Sequence, residues 1–288
     1  KTAYEMLRSL VGSEMCIRDR SNKTLFYDLY ARINSFWENS DMAATGKPSK
    51  DELIILNSLK NTLPSGIIDS DVAEVSLSST KQLDRKNLRM ASKLLDDAGW
   101  EVGDDGLRKN NRGATLDIEI LNDSQAFTRI IEPFIENLKS LGVNAVHTKI
   151  DNAQMTERER SFDFDIVTGN FPMSFTPGSG LKQYFGSETA DVSIFNKAGI
   201  KSEVIDELIE VVMAAKTRDE LKVAVKTLDR VLRSYYFWIP QWFKDVHTVA
   251  YYDYYEHPEN LPPYDMGLLD FWWINNEKYN ELKNEGAF

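Results

Sequence analysis

Two carboxylates separated by one residue, Asp163 and Asp165, are the groups in this chain whose type and spacing could support metal-assisted chemistry. An Asp-x-Asp pair can hold a divalent cation and, through it, the phosphates of a nucleotide sugar. Here the pair falls inside 162–168, where Phe162, Phe164, Ile166 and Thr168 alternate with Asp163, Asp165 and Val167. That period of two is expected of a strand with one face in a core, and it puts both acids on one face. No Gly-rich phosphate loop lies nearby, and no P-loop, nucleophile elbow or Ser/His/Asp constellation accompanies the pair. The three histidines, His147, His247 and His257, share no metal-type spacing. Cys16 is the single cysteine, which excludes an internal disulfide framework and a cysteine-based zinc site. Gly103-Asp104-Asp105-Gly106 lacks the evenly spaced oxygen ligands and closing Glu of a calcium loop and reads as a hairpin turn. The expectation is a protein that is not an enzyme and carries no cofactor or metal. Metal-dependent glycosyl or nucleotidyl transfer through Asp163 and Asp165 stands as the alternative.

The chemistry after the strand is of another kind. At Gly169 the alternation stops, and Asn170, Phe171, Pro172, Met173, Ser174, Phe175, Thr176 and Pro177 offer amides and rings on a backbone stiffened by two prolines. Such a segment suits gripping a ligand, and it reads as a recognition loop at a sheet edge.

The elements that must position this loop can be read in order. With 288 residues, 42% of them hydrophobic, the chain can bury a sizeable core as one large domain or two smaller ones. A net charge of −11 argues against nucleic acid or an anionic membrane as partner. No apolar run approaches the roughly 20 residues that span a bilayer. Residues 1–20, with the run Leu10-Val11-Gly12-Ser13-Glu14-Met15-Cys16-Ile17-Arg18-Asp19-Arg20, resemble translated adapter read-through and are set aside from the fold.

Within 25–37, Leu25, Phe26, Leu29 and Ile33 stand at helical spacing until Asn34-Ser35 interrupts before two rings, which predicts a helix leading into an aromatic loop. Ser49-x-x-Glu52 is a capping box for a helix through about Asn61. Residues 85–98 form a helix closing on Gly99, with Trp100 folded back on it. Leu116, Ile118 and Ile120 alternate as a strand, Ser124 caps a helix with a broad apolar face, and a strand returns over 143–150. A polar loop then leads to the recognition strand, so a mixed α/β sheet with helices packed on it is expected. An antiparallel helix pair follows, 202–215 and one capped by Thr217-x-x-Glu220. The aromatic run at 235–243 is broken by Pro240. A strand is expected over 246–252 and a short apolar strand over 268–274, the latter with no obvious partner, before a polar surface tail.

Taken together, five stretches carry a family resemblance. They are LFYDLYARINSFWENSDMAATGKPSKDEL at 25–53, NLRMASKLLDDAGWEVGDDGLRKNNRG at 87–113, FDFDIVTG at 162–169, the helix pair ending LDRVLRSYYFWIPQWF, and LLDFWWIN near the C-terminus. In order and spacing, from Ser21 to Glu277, the chain resembles the extracytoplasmic solute-binding proteins of ABC peptide importers, family 5. It is nearest the branch associated with longer peptides and microcin-like conjugates. The resemblance implies a type II periplasmic-binding-protein fold of two lobes around a cleft. Residues 21–252 would be most of the distal lobe, and 253–288 would cross a hinge near 251–256 into a proximal lobe whose remainder lies outside this sequence. It further implies a peptide or peptide-like ligand, permease subunits as partners, a monomer, and a periplasmic or lipid-anchored extracellular location. Asn170, Phe171 and Phe175 would touch the ligand, with Phe195, Asn196, Trp242, Arg32 and Trp37 completing the wall. Ordinary core packing competes for Trp242, Phe195 and Trp37, and an exposed helix position competes for Arg32. Where many peptide-binding relatives place an aspartate for the peptide's α-amino group, this chain has Phe171-Pro172-Met173-Ser174, so no free-amine anchor is expected there. Thr176-Pro177-Gly178-Ser179-Gly180-Leu181 also replaces a more charged run of the long-peptide branch.

Overall fold

The computed structural model describes residues 21–74, 84–262 and 266–287, so residues 1–20, with Cys16 and the adapter-like run, lie outside it. The described residues divide between Phe243 and Lys244 into two compact units.

The larger unit is built on a three-stranded sheet. Strand β4 (Asp117–Asn122) is central, with β5 (Asn144–Lys149) on one side and β6 (Ile166–Val167) on the other, both parallel to it. Parallel neighbours need a crossover, and α3 (Gln125–Ser140) supplies the one between β4 and β5. Its Ile130, Ile131, Phe134, Ile135 and Leu138 face the sheet residues Ile118, Ile120 and Ala145 in one core, which also takes Ala91 and Leu95 of α2 (Arg85–Asp97). Antiparallel pairing is confined to two-residue ladders, among them β1 (Ala31–Arg32) with β7 (Trp242–Phe243), and β2 (Glu101–Val102) with β3 (Arg108–Lys109). The β2–β3 link is the expected hairpin: Asp105 accepts from Leu107 N at 3.2 Å, and Gly106 N donates to Gly103 O at 2.9 Å.

Helix ends follow local chemistry. Helix α1 (Lys50–Ser58) starts with the full capping box, Glu52 N donating to Ser49 Oγ at 3.2 Å and Ser49 N to Glu52 Oε2 at 2.8 Å. Thr217 caps α7 (Arg218–Ser234) by accepting from Glu220 N at 3.2 Å. Ser124 occupies the N-cap of α3, but its hydroxyl makes no cap bond; Asn122 brackets it instead, accepting from Ser124 N and donating to Ser124 O. Gly142 ends the same helix at φ +82°, where an added Cβ would lie 2.7 Å from Gly106 O. Only glycine lets the hairpin approach so closely.

A second core joins α1, α6 (Glu203–Ala214) and α7, with Leu56, Val204, Ile205, Leu208, Leu228 and Leu232 at its centre. Two ion pairs are buried inside it. Arg230 reaches Glu52 at 3.2 Å and the Gly46 carbonyl at 2.8 Å, and Arg233 lies 3.4 Å from Asp229. Asp229 also accepts from Phe36 N and Ala44 N, both at 3.0 Å. Burial pushes the Asp229 carboxyl above its ordinary value, against the pull of the Arg233 guanidinium and these N–H groups. The pairs tie the irregular segment 34–46 to α7, beside the packing of Phe36, Trp37 and Met42 in the same core.

Several expectations change in three dimensions. The helix expected from Leu25 to about Ile33 is absent, the helical turn there ending at Leu25; Tyr27 and Asp28 turn with positive φ, and Ala31 and Arg32 enter β1. Asn22 enforces the turn, donating to Tyr30 O at 2.6 Å and accepting from Tyr30 N at 3.2 Å. The polar loop before the recognition strand is a helix, α4 (Asn152–Ser161), capped by Asp151, whose single buried residue is Met155. The recognition strand is two residues long, since Phe162 is the left-handed cap of α4 and only Ile166 and Val167 pair with β4.

In the smaller unit, the strand expected over 246–252 is absent, because no ladder lies beside those residues among the described ones. The apolar segment expected over 268–274 contributes only β9 (Trp273–Ile274), and it does have a partner, β8 (Tyr255–Glu256). Glu256 bridges the pair through Trp273 Nε1 at 3.1 Å and Asn275 Nδ2 at 2.9 Å. The polar tail forms α8 (Asn276–Asn284), capped by Asn275 and with no buried residue. Leu269 and Phe271 stand in solvent within this unit.

Candidate ligand-binding site

The approach to the recognition loop is held by charge. Arg158 of α4 grips Glu119 of β4 with two bonds of 2.6 and 3.2 Å, and its Nε reaches Asp163 at 3.0 Å. Asp165 accepts from Glu119 N at 2.8 Å. Both acids of the Asp-x-Asp pair therefore serve the fold at the start of β6, one bound to a guanidinium and the other to the sheet backbone. No group of three or more His, Cys, Asp or Glu suited to a metal is found among the described residues.

The hydrogen bond from Arg158 holds the Glu119 carboxyl below its usual range. A depressed carboxylate adds stability above its unfolded pKa and loses it as pH falls through the folded value. Replacing Glu119 by Gln should lower Tm at neutral pH, and the gap to the parent should close in the acid range below the ordinary carboxylate pKa. Tm measured against pH checks this; a gap that stays constant into strong acid would show that Arg158 does not set it.

Beyond Gly169 the loop is seated by aromatics. Phe171 meets the buried Phe36 edge-on at 5.1 Å, stacks on Phe185 at 5.9 Å and approaches Trp238 at 6.0 Å. Tyr184, on α5 (Leu181–Phe185), lies 6.3 Å from Phe171 and 5.5 Å from Phe195. Phe36, Phe171, Tyr184 and Phe195 thus form a ladder of rings from core to solvent, where Phe195 is 42% exposed. Two donors pin the loop backbone: Trp37 Nε1 to Ser174 O at 3.2 Å, and the Arg218 guanidinium to Phe175 O. Asn170 and the Phe175 ring are exposed at its rim.

The structure sorts the expected contact residues into three groups. Phe171, Phe175 and Trp37 belong to one assembly around the loop, and Phe195 joins it through Tyr184. Arg32 and Trp242 are cross-strand partners in β1–β7, where Trp242 packs on Phe26 at 5.1 Å. Asn196 is buried, and its carboxamide is used within its own loop, donating to Gly186 O at 3.2 Å and Ile200 O at 3.3 Å and accepting from Ile200 N at 3.0 Å. Its carboxamide thus shapes the loop from within. Trp37 is likewise buried and acts through its Nε1 on the loop. Tyr184, Trp238 and Arg218 escaped sequence reading. The first two stood in plain aromatic runs, and nothing local marks an arginine at the first turn of α7 as a loop anchor. Beside Phe36 and Trp238 lies a cavity of about 30 Å³, bordered also by Asn34, Arg233 and Tyr236, with room for one water-sized group.

A parallel α/β sheet whose strand end opens into a ring- and amide-bearing loop, its backbone held by two side-chain donors, has the architecture of a solute-binding domain. Residues 18–192 match the family described as bacterial extracellular solute-binding proteins, family 5 Middle, and the chain belongs to that family. A protein of Agrobacterium fabrum named "Probable peptide-binding protein YejA" is 39% identical over 254 residues, which are 88% of this chain and 41% of the relative. The chain thus spans about two fifths of the length of the curated relatives it matches. The oligopeptide-binding protein AppA of Bacillus subtilis, solved with a nonapeptide, shares the fold at a TM-score of 0.63 and 13% identity, covering 94% of this chain and 48% of that one. NikZ of Campylobacter jejuni, solved with Ni(L-His), superposes at 0.60 with 13% identity over 84% of this chain and 43% of its own.

Proposed function

We propose that this chain is the ligand-binding part of an extracytoplasmic substrate-binding component of an ABC importer, which captures oligopeptides or peptide-like solutes and delivers them to a membrane permease. The ring ladder ending at Phe195, beside a loop held by Trp37 and Arg218, carries the reading. Stacking surfaces and exposed amides recognise a peptide's rings and backbone without reacting with it. Capture proceeds by lobe closure about a hinge near 251–256, in a monomer that works in the periplasm or on a lipid anchor. The matching family, the relative named as a probable peptide-binding protein and the fold shared with the nonapeptide-bound protein support this.

Calorimetry of the full-length protein with a mixed peptide pool should give saturable heat, and mass spectrometry should recover the peptides unchanged. Trp37→Phe keeps an aromatic ring and loses the bond to Ser174 O, a contribution of about 1 kcal/mol, so peptide affinity should fall about fivefold with the fold intact. Cleaved or modified peptides, or a requirement for a divalent metal, would overturn the reading in favour of Asp163 and Asp165 as a catalytic pair.

A further inference from the structure

A concavity of about 360 Å³ lies between α2, the β2–β3 hairpin and the C-terminal end of α3. It shares no residue with the recognition loop. In a chain of net charge −11, its lining among the described residues holds four cations, Arg85, Arg89, Arg108 and Lys139, and no carboxylate. Arg108 is buried, and its Nε and Nη1 are taken by Leu141 O, Trp100 O and Asp96. Its Nη2 gives one bond to Ser92 Oγ at 2.6 Å. A guanidinium has five N–H donors, so one on Nη2 is left over. The Ser92 oxygen accepts in that contact, which leaves its own hydroxyl proton to donate. Lys139 faces Glu136 at 3.4 Å, with both side chains more than half exposed, a pairing that solvent screens. Arg85 and Arg89 lie one turn apart on α2 and have no ion-pair partner among the described residues.

We propose that this concavity binds a phosphate-bearing small molecule. A phosphate monoester brings about two negative charges and three acceptor oxygens, matching two adjacent forks, the leftover Arg108 donor and the Ser92 hydroxyl better than a carboxylate does. The space exceeds that of a bare phosphate and leaves room for an organic group on the ester. That group makes the ligand a soluble monoester; a lipid headgroup, whose phosphate is a diester of one charge on a surface that repels a chain of net charge −11, is the competing source that the test separates from it.

The test uses the full-length protein with two probes: glycerol 3-phosphate by calorimetry, and vesicles of phosphatidylglycerol against phosphatidylcholine by sedimentation. The double variant Arg85→Ala/Arg89→Ala removes two exposed cations and should leave Tm unchanged. A control, Lys86→Ala/Lys93→Ala, removes the same charge from α2 at positions outside the concavity. Expected are saturable binding of glycerol 3-phosphate, about tenfold or more weaker in the arginine variant, unchanged in the lysine control, and weakened by salt. Binding of phosphatidylglycerol vesicles alone, lost in the same variant, would overturn the proposal in favour of a lipid headgroup. No binding of either probe, or equal losses in the arginine variant and the lysine control, would overturn the proposal. Peptide binding is read separately and does not bear on it.

Discussion

Replacing Glu52 by Ala should destabilise the larger unit by about 3–5 kcal/mol, a large share of the roughly 5–15 kcal/mol typical of a folded domain. Glu52 and Arg230 are both almost fully buried, and the two Glu52 oxygens hold different partners. Oε1 accepts from Arg230 Nε and Nη2 at 3.2 Å, and Oε2 accepts from Ser49 N at 2.8 Å. Truncation leaves an uncompensated guanidinium in the core and removes half of the capping box. Most of the loss comes from the stranded charge. Glu52→Leu combined with Arg230→Met, which removes both charges at similar volume, should therefore recover most of the stability. Urea denaturation of the three proteins decides it. A double variant no more stable than Glu52→Ala would show that the pair contributes through its hydrogen bonds to segment 34–46 and not through charge balance.

Phe36→Ala should cost a comparable amount, about 3–5 kcal/mol, and should also weaken ligand binding. Phe36 touches four rings, with Trp238 at 4.2 Å, Phe171 at 5.1 Å, Phe185 at 5.3 Å and Phe237 at 5.7 Å. It is the buried foot of the ladder that ends at Phe195, and its backbone N–H is held by Asp229. A cavity there removes the support beneath Phe171, so the recognition loop loses a defined position along with the core contacts. Phe36→Leu keeps most of the volume and forfeits the edge-on aromatic contacts, worth about 0.5–1.5 kcal/mol each. Its Tm should fall modestly while peptide affinity falls several-fold. Full affinity in Phe36→Leu would show that the loop is positioned by Trp37 and Arg218 alone.

How far the sequence could be read depended on the range of the interactions involved. The capping box at Ser49 and Glu52, the cap at Thr217, the glycine after α2 and the Gly103–Gly106 turn were legible because each signal and its partner lie within a few residues of one another. The strand-helix-strand order of β4, α3 and β5 was legible because α3 carries a broad apolar face. Helix α4 was not, since one buried methionine in ten residues gives no period; the Asp151 cap, accepting from Ala153 N and Gln154 N, was the signal available. The helix expected from Leu25 to about Ile33 had the right spacing but lost to Asn22 and to a ladder with β7, which lies some 210 residues downstream in sequence.

The same division runs through the candidate site. By itself the sequence determined the family and the α/β class with its strand-helix-strand unit, which rest on local pattern and on the order of motifs; that the three paired strands run parallel came from the tertiary structure. Only the tertiary structure decided which aromatic and amide groups face outward. It buried Trp37 and Asn196 as supports, left Phe175 and Phe195 at the rim, and bound Asp163 and Asp165 to the fold. The physical reason is that a ring or an amide has the same preference for burial wherever it stands, and whether it reaches a ligand depends on neighbours far away in the chain.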